Sequence, residues 1–442
     1  MDEPKAFQTY DIRGKYPKEV NEELALGLGK ATGTFAKNRI VIGGDNNYTT
    51  NILKFTFVSG ALSVGVDIID VGIGTSDMIA FGGKYYNADL SVMITASHIG
   101  IDKNGFKFFY KEGNGFINED LEKIKSLYLN KNFRKIEQRK IGKRIDKHEE
   151  LYNSYLNTVI KHFKSFFPKI DAKVVVDTGD GTASITTPIL LEKLGTKVIK
   201  VNSDIDGGFR RQSENAEPEN IEYLSNKIKE YNADLAIAHD IDADRISAFD
   251  KRGGRISGDE LFCLFADIMV KEGDKVIASV DTSRALDDVC KGEIIYTRIG
   301  DPFVIDAAIE HNAILAGEPN GHFCYPKFIA YNSGTFFALM LAAIAENVPE
   351  NIEKLPKYCP KNKKFKVEDK KEKMNEIIST VEEKFRVISR IDGIKFECKN
   401  SEVLIRPSGT EPVIRIVVEN KNGKNSQNVL DKLEKMFFRG KL

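Results

Sequence analysis

The chain has 442 residues, and its 65 lysines and arginines are balanced by 65 aspartates and glutamates. That length suggests three or four domains of about 100–150 residues each. The charge balance excludes a global field that would draw the chain onto nucleic acid or a membrane surface, so any affinity for phosphate has to come from local sites. Five cysteines (263, 290, 324, 359 and 398) with no C-x-x-C pair read as reduced thiols rather than a disulfide framework or a zinc site. The opening residues are polar and charged, and no run approaches the ~20 apolar residues of a membrane span. The expectation is a cytoplasmic globular protein with no nucleic-acid or membrane partner.

In chain order, short β-branched runs alternate with longer amphipathic stretches, the pattern of an α/β protein. Residues 39–43, 66–71 and 90–94 read as buried strands of a first unit; 173–177, 197–201 and 234–239 of a second; 275–280, 293–297 and 313–316 of a third. The trios suggest a diverged threefold repeat. The lysine- and arginine-rich stretch 123–147 is interspersed with acidic residues and lacks interleaved aromatics, which marks a solvated connector into a helix over 149–163. Beyond Pro360 the pattern changes to α+β: a helix over 370–384, strands around Phe396, Val403 and 414–418, and a closing helix over 427–438. The expected domains are 1–147, 148–250, 251–358 and 359–442.

Polar motifs follow the third strand of each trio, where open α/β sheets bind ligands, so three such loops would share one cleft. The first is Thr95-Ala96-Ser97-His98. Ser97 alone reads as a helix cap or turn former, and Lys107 supplies a cation to the same region. No serine-hydrolase G-x-S-x-G pattern surrounds it. The second, Asp240-Ile241-Asp242-Ala243-Asp244-Arg245, places a carboxylate at every second position. An extended backbone would point all three to one side, a donor set that suits Mg²⁺; the competing reading is an acidic turn paired with Arg245. The third is Gly317-Glu318-Pro319-Asn320-Gly321-His322. The fourth, Arg406-Pro407-Ser408-Gly409-Thr410-Glu411-Pro412, sits on a turn between two strands of the last unit and offers a guanidinium fork, hydroxyls and an N–H nest for an anion. Tyr10-Asp11-Ile12-Arg13-Gly14 adds another arginine near the start.

In this order the motifs resemble the α-D-phosphohexomutase superfamily, specifically its phosphomannomutase/phosphoglucomutase branch, from Tyr10 to Pro412. The resemblance implies three similar α/β domains and a smaller α+β domain around one central cleft. It implies that Ser97 carries a phosphoryl group and, with Asp240, Asp242 and Asp244, holds Mg²⁺. Glu318, Asn320 and His322 would lie along the sugar, and Arg406, Ser408, Gly409 and Thr410 would grip the phosphate that is not transferred. Arg13, Lys107 and Arg245 would surround the reacting phosphate, with His98, Lys107 and His322 as candidates for proton transfer. The implied substrate is a small-molecule sugar phosphate, a mannose or glucose phosphate, passing through a hexose 1,6-bisphosphate on a monomer or small homo-oligomer. Phosphoglucosamine mutase, another sugar-phosphate mutase or a catalytically silent sugar-phosphate binder are the alternatives.

Four positions depart from the family pattern. Ile99-Gly100 stand where Asn-Pro is usual, and Ile241 stands where glycine is usual. Asp45-Asn46-Asn47 lacks an arginine often found there, and Gly300-Asp301 replaces the histidine of some bacterial enzymes. A β-branched residue disfavours positive φ, so the backbone at Ile241 is expected either not to be left-handed or to be shifted.

Overall fold

The computed structural model describes residues 5–97, 100–209, 217–408 and 412–438. The first sheet contains β1 (Ile12–Lys15), β2 (Arg39–Gly44), β3 (Asp67–Ile73), β4 (Leu90–Ile94), β5 (Lys103–Tyr110) and β6 (Arg144–Asp146), in the order β1-β5-β4-β2-β3-β6. The second contains β7 (Lys173–Asp177), β8 (Lys197–Val201), β9 (Leu235–Ala238), β10 (Ser247–Asp250) and β11 (Arg255–Ile256), in the order β11-β10-β9-β7-β8. The third contains β12 (Lys275–Ser279), β13 (Glu293–Thr297), β14 (Leu315–Gly317) and β15 (Phe323–Cys324), in the order β13-β12-β14-β15.

One arrangement recurs in all three sheets. The first strand of each trio lies between the second and third, all parallel, and the third is flanked by an antiparallel return strand: β5, β10 or β15. The repeat read from the sequence is therefore present, with the return strand as a member the hydrophobic pattern did not reveal. Each polar motif becomes the loop between the third strand and its return. The central strands are near-continuously apolar because helices cover both faces; β4 is buried at every position.

The fourth sheet differs in kind. Strands β16 (Lys361–Lys366), β17 (Arg386–Ser389), β18 (Ile394–Cys398), β19 (Ser401–Pro407) and β20 (Val413–Glu419) are all antiparallel, in the order β16-β20-β19-β18-β17. Burial alternates along β18, as expected of a sheet covered on one face. The helices Lys370–Lys384 and Gly423–Phe437 supply that cover through Met374, Ile377, Leu430 and Leu433. The closing helix begins earlier than the hydrophobic pattern indicates because Asn422 caps it, accepting from the N–H groups of Lys424 and Asn425.

The first three units share a continuous apolar cluster. It joins Val41 and Met93 of the first, Leu156 and Val174 of the second, and Phe265 and Leu339 of the third. Helix Gly334–Ala342 (GTFFALMLA) is buried at every position and lies within this cluster. A polar knot accompanies it: the buried Asp77 carboxylate accepts from Tyr155 Oη at 2.6 Å and from the Ser333 hydroxyl. The last unit has a separate core and meets the third largely through charged groups. Arg284 Nε and Lys395 Nζ lie 3.3 and 2.9 Å from Glu402, and Glu419 accepts from the Arg284 N–H at 3.0 Å.

Burial at this interface pushes Asp259 up to about 7 from an ordinary 3.8, with the neighbouring Glu419 and Asp281 carboxylates adding to the shift. A carboxyl whose folded pKa is raised contributes stability below its unfolded pKa and loses it as pH rises through the folded one. The structure therefore predicts that stability falls between about pH 4 and pH 7 by an increment that Asp259→Asn removes. Chemical denaturation of both proteins across that range measures it, and identical pH profiles would contradict the assignment.

Candidate active site

The aspartate loop is a turn, which corrects the extended geometry expected from the alternating carboxylates. The Ala243 N–H closes back on the Asp240 carbonyl at 3.2 Å, and Ala243 takes the left-handed conformation (φ 59°). Ile241 is not among the positive-φ residues, so its β-branch is accommodated and the left-handed step falls two residues later. Gly181 makes this possible from behind. A Cβ there would lie 2.5 Å from the Ile241 carbonyl oxygen, which instead accepts from the Thr182 N–H at 2.7 Å. Turning the chain still converges the side chains: ligand oxygens of Asp240, Asp242 and Asp244, all buried, lie within 4.8 Å of one another.

Cations face all three carboxylates of this cage. Lys107 Nζ lies 2.6 Å from Asp242 Oδ2 and 2.7 Å from Asp244 Oδ2. Arg245, 3.8 Å from Asp240, and His322, 3.3 Å from Asp244, add to that offset, yet buried Asp242 Oδ1 has no hydrogen-bond partner. An orphaned buried carboxylate oxygen beside two further carboxylates fits a hard divalent cation with oxygen ligands. Burial opposes the Lys107 charge, yet the two aspartates outweigh it and raise its pKa, so it is held as a cation. Asp244 is driven the other way: burial would raise it, but Lys107 and His322 hold it well below the usual carboxylate range.

Ser97 meets this cage from the first sheet. Its N–H donates to Thr95 Oγ1 at 2.8 Å, its backbone is left-handed (φ 54°), and its Oγ donates to Asp240 Oδ2 at 3.4 Å. A non-glycine residue in that conformation carries strain of about 1–2 kcal/mol, of the kind that accumulates at functional sites. Return strand β5 delivers Lys107, and β1, paired with it, delivers Arg13. Arg13 Nε is 2.7 Å from Asp11, and Nη1 donates to the Ala96 carbonyl at 3.4 Å. Arg13, Ser97, Lys107, Asp244, Asp301 and His322 line one cavity of about 110 Å³.

The third loop completes the wall. His322 Nε2 lies 3.3 Å from Asp244 Oδ1, and Nδ1 lies 3.5 Å from Glu318 Oε2. Burial opposes the charged imidazole, but Asp244 and Glu318 push it up to about 9 despite the nearby Arg245 guanidinium. Arg245 Nε reaches His322 Nε2 at 3.0 Å and lies 3.8 Å from Asp240 Oδ2. Glu318 accepts from the Gly300 N–H at 2.8 Å and from Asn320 Nδ2 at 3.4 Å, while Asn320 Oδ1 accepts from the His322 N–H at 3.1 Å.

In the fourth unit, Arg406 Nη1 lies 3.2 Å from Asp392 of the same domain. Its guanidinium also acts on Asp281, and Asp392 acts with Asp301 and Glu318 on the phenol of Tyr10, which lines the catalytic cavity. The Ser408 N–H donates to the Val413 carbonyl, and the Ser408 carbonyl accepts from Lys370 Nζ at 2.7 Å. His98, Ile99, Gly409 and Thr410 lie outside the described residues.

Two participants were not apparent from sequence. Ser76 donates its hydroxyl to Asp242 Oδ2 at 2.8 Å and its N–H to the Asp242 carbonyl at 2.9 Å. It follows β3, so the strand-end rule applied to second strands would have found it. Tyr331 Oη donates to Asp244 Oδ2 at 3.3 Å, and no local pattern marks it.

Comparison with known proteins covers the whole arrangement. Models of the phosphoglucomutase/phosphomannomutase family match in sequence order: alpha/beta/alpha domain I over residues 4–135, domain II over 152–254, domain III over 257–362 and the C-terminal domain over 363–436. The chain is 34% identical over 423 residues to a probable phosphoglucosamine mutase of Methanococcoides burtonii, spanning 95% of this chain and 96% of that one. It is 33% identical over 444 residues to a phosphoglucomutase/phosphomannomutase of Thermococcus kodakarensis, spanning 97% of each. The crystal structure of a phosphoglucomutase/phosphomannomutase family protein from Burkholderia thailandensis superposes with a TM-score of 0.86 at 22% identity, over 99% of this chain and 98% of that one. No helix among the described residues is long and apolar enough to cross a membrane.

Proposed function

The chain belongs to the phosphoglucomutase/phosphomannomutase family, and on that premise we propose that it interconverts the 1- and 6-phosphates of a hexose, mannose or glucose, through phosphoserine at Ser97 and a hexose 1,6-bisphosphate. The observation that carries this reading is the placement of Ser97 Oγ against Asp240, in a cage whose Asp242 Oδ1 lacks a partner and whose walls carry Arg13 and Lys107.

In the forward half-reaction a free hydroxyl oxygen of the bound hexose phosphate bonds to the phosphorus on Ser97 as the bond from phosphorus to Ser97 Oγ breaks. The hydroxyl proton is returned, net, to Ser97 Oγ. Among the described residues, Lys107 Nζ and the His322 imidazole hold a proton beside the transfer. Arg13, Lys107 and Arg245 offset the charge on the moving group. Mg²⁺ held by Asp240, Asp242 and Asp244 would add charge neutralisation at the transferring oxygens. Glu318, Asn320 and His322 bind sugar hydroxyls, while Arg406, Ser408, Gly409 and Thr410 hold the distal phosphate. After the bisphosphate turns over in the cleft, Ser97 takes back the other phosphoryl group. The separate core of the last domain and its charged contacts to the third favour a domain that loosens while the ligand reorients.

One observation favours a second reading, a phosphoglucosamine mutase. Asp301 lines the catalytic cavity, and its side chain makes no hydrogen bond or ion pair among the described residues. A carboxylate in a pocket for anionic substrates is repulsive unless the sugar brings a cation, and a 2-ammonium group does so. Turnover of glucose, mannose and glucosamine phosphates with Mg²⁺ and bisphosphate, by the wild type and Asp301→Asn, tests both. The hexose reading predicts preference for the neutral sugars and little change in that preference in the variant. The glucosamine reading predicts preference for the amino sugar and a loss of about tenfold in its kcat/KM on substitution. Binding of all three without turnover would contradict both.

A further inference from the structure

A second cavity, of about 160 Å³, lies behind the sugar loop, where the return hairpin of the second domain meets the third. That is several times the room one water needs. Arg245, Ser247, Arg255, Gly258 and Asn320 line it, with Arg245 shared between this cavity and the catalytic one. Its floor is fixed: the Ile246 N–H donates to the Gly321 carbonyl at 3.1 Å, and a Cβ on Gly258 would lie 1.9 Å from the Pro319 carbonyl oxygen.

Two side chains on this wall have no protein hydrogen-bond partner among the described residues. Ser247 is 6% exposed, and its Oγ has no hydrogen-bond partner. The exposed Arg255 side chain makes no hydrogen bond or ion pair among the described residues. The carboxylate acting on it, Glu260, is already engaged by the Ser257 N–H at 2.9 Å and by Lys357 at 3.3 Å. A buried hydroxyl without a partner costs about 1–3 kcal/mol, and two guanidinium groups lining one polar cavity offer several donors to an anion held there.

We propose that this cavity is a second oxyanion site, distinct from the catalytic cleft, in which Arg255, Ser247 and Arg245 bind a small tetrahedral anion of the phosphate or sulfate type. Arginine's donor fork suits such an anion, and the serine hydroxyl supplies a further donor. Because Arg245 also lines the catalytic cavity, an occupied site shares a guanidinium with the cleft. The inference does not depend on the phosphomutase reading.

Sulfate is the probe, titrated calorimetrically into the full chain, the Arg406→Gln variant, and the Arg255→Gln and Ser247→Ala variants built on Arg406→Gln. Sulfate binding should persist in Arg406→Gln, weaken by at least about tenfold when Arg255→Gln is added, and weaken severalfold when Ser247→Ala is added. Arg255 is exposed, so sulfate-free melting temperatures should not change with its replacement. Binding abolished by Arg406→Gln alone, or unaffected by Arg255→Gln, would overturn the proposal.

Discussion

Ser97→Ala should reduce kcat by on the order of 10⁴-fold while leaving the melting temperature close to that of the wild type. On this reading the hydroxyl is the group that breaks and re-forms a bond to phosphorus. Lys107 and Arg13 are cations, and Asp240 faces the serine as an acceptor. Among the described residues the substitution removes a long hydrogen bond of 3.4 Å to Asp240, and the left-handed backbone there (φ 54°) tolerates alanine no worse than serine. Loss of turnover with retained stability separates a chemical role from a structural one. Retention of more than a few per cent of activity would remove Ser97 from the reaction.

Asp242→Asn should abolish the stabilisation that Mg²⁺ confers and lower kcat by on the order of 10²–10³-fold. In the wild type, a cation bound at a hundredfold excess over its Kd adds about 2.7 kcal/mol to folding. The carboxylate chosen is the one with an unpartnered buried oxygen, and it also receives Lys107 and Ser76. Asparagine keeps the shape and can accept from Ser76, while Lys107 retains Asp244. The fold should therefore persist without metal, as should the Ser76 N–H bond to the residue-242 carbonyl. Thermal melts of both proteins with and without Mg²⁺ read this directly. An unchanged Mg²⁺ shift in the variant would place the cation elsewhere.

The parallel strands were legible because burial on both faces forces unbroken β-branched runs; each of the nine lies within two residues of its place in the sequence reading. Return strand β5 was hidden by the residues that make it functional. Lys103, Asn104, Gly105 and Lys107 interrupt its apolar run, and Asn104 and Lys107 are buried because Thr49, Thr50, Asp242 and Asp244 satisfy them. The convergence of the three aspartates was also legible, but not the turn that achieves it, since the left-handed residue is Ala243 and not a glycine. The Asp77–Tyr155–Ser333 knot joins residues 78 and 256 positions apart, beyond any local pattern. Motif order survives in sequence because each loop is tied to a strand end. The partners that hold the loops together come from elsewhere in the chain and emerge only in three dimensions.

The most direct test of Ser97 as the phosphoryl carrier is the intact mass of the dephosphorylated chain after incubation with Mg²⁺ and glucose 1,6-bisphosphate. The expected result is a gain of one phosphoryl group, mapped to Ser97, absent in Ser97→Ala and discharged by hexose monophosphate. No gain, or the same gain in Ser97→Ala, would contradict it.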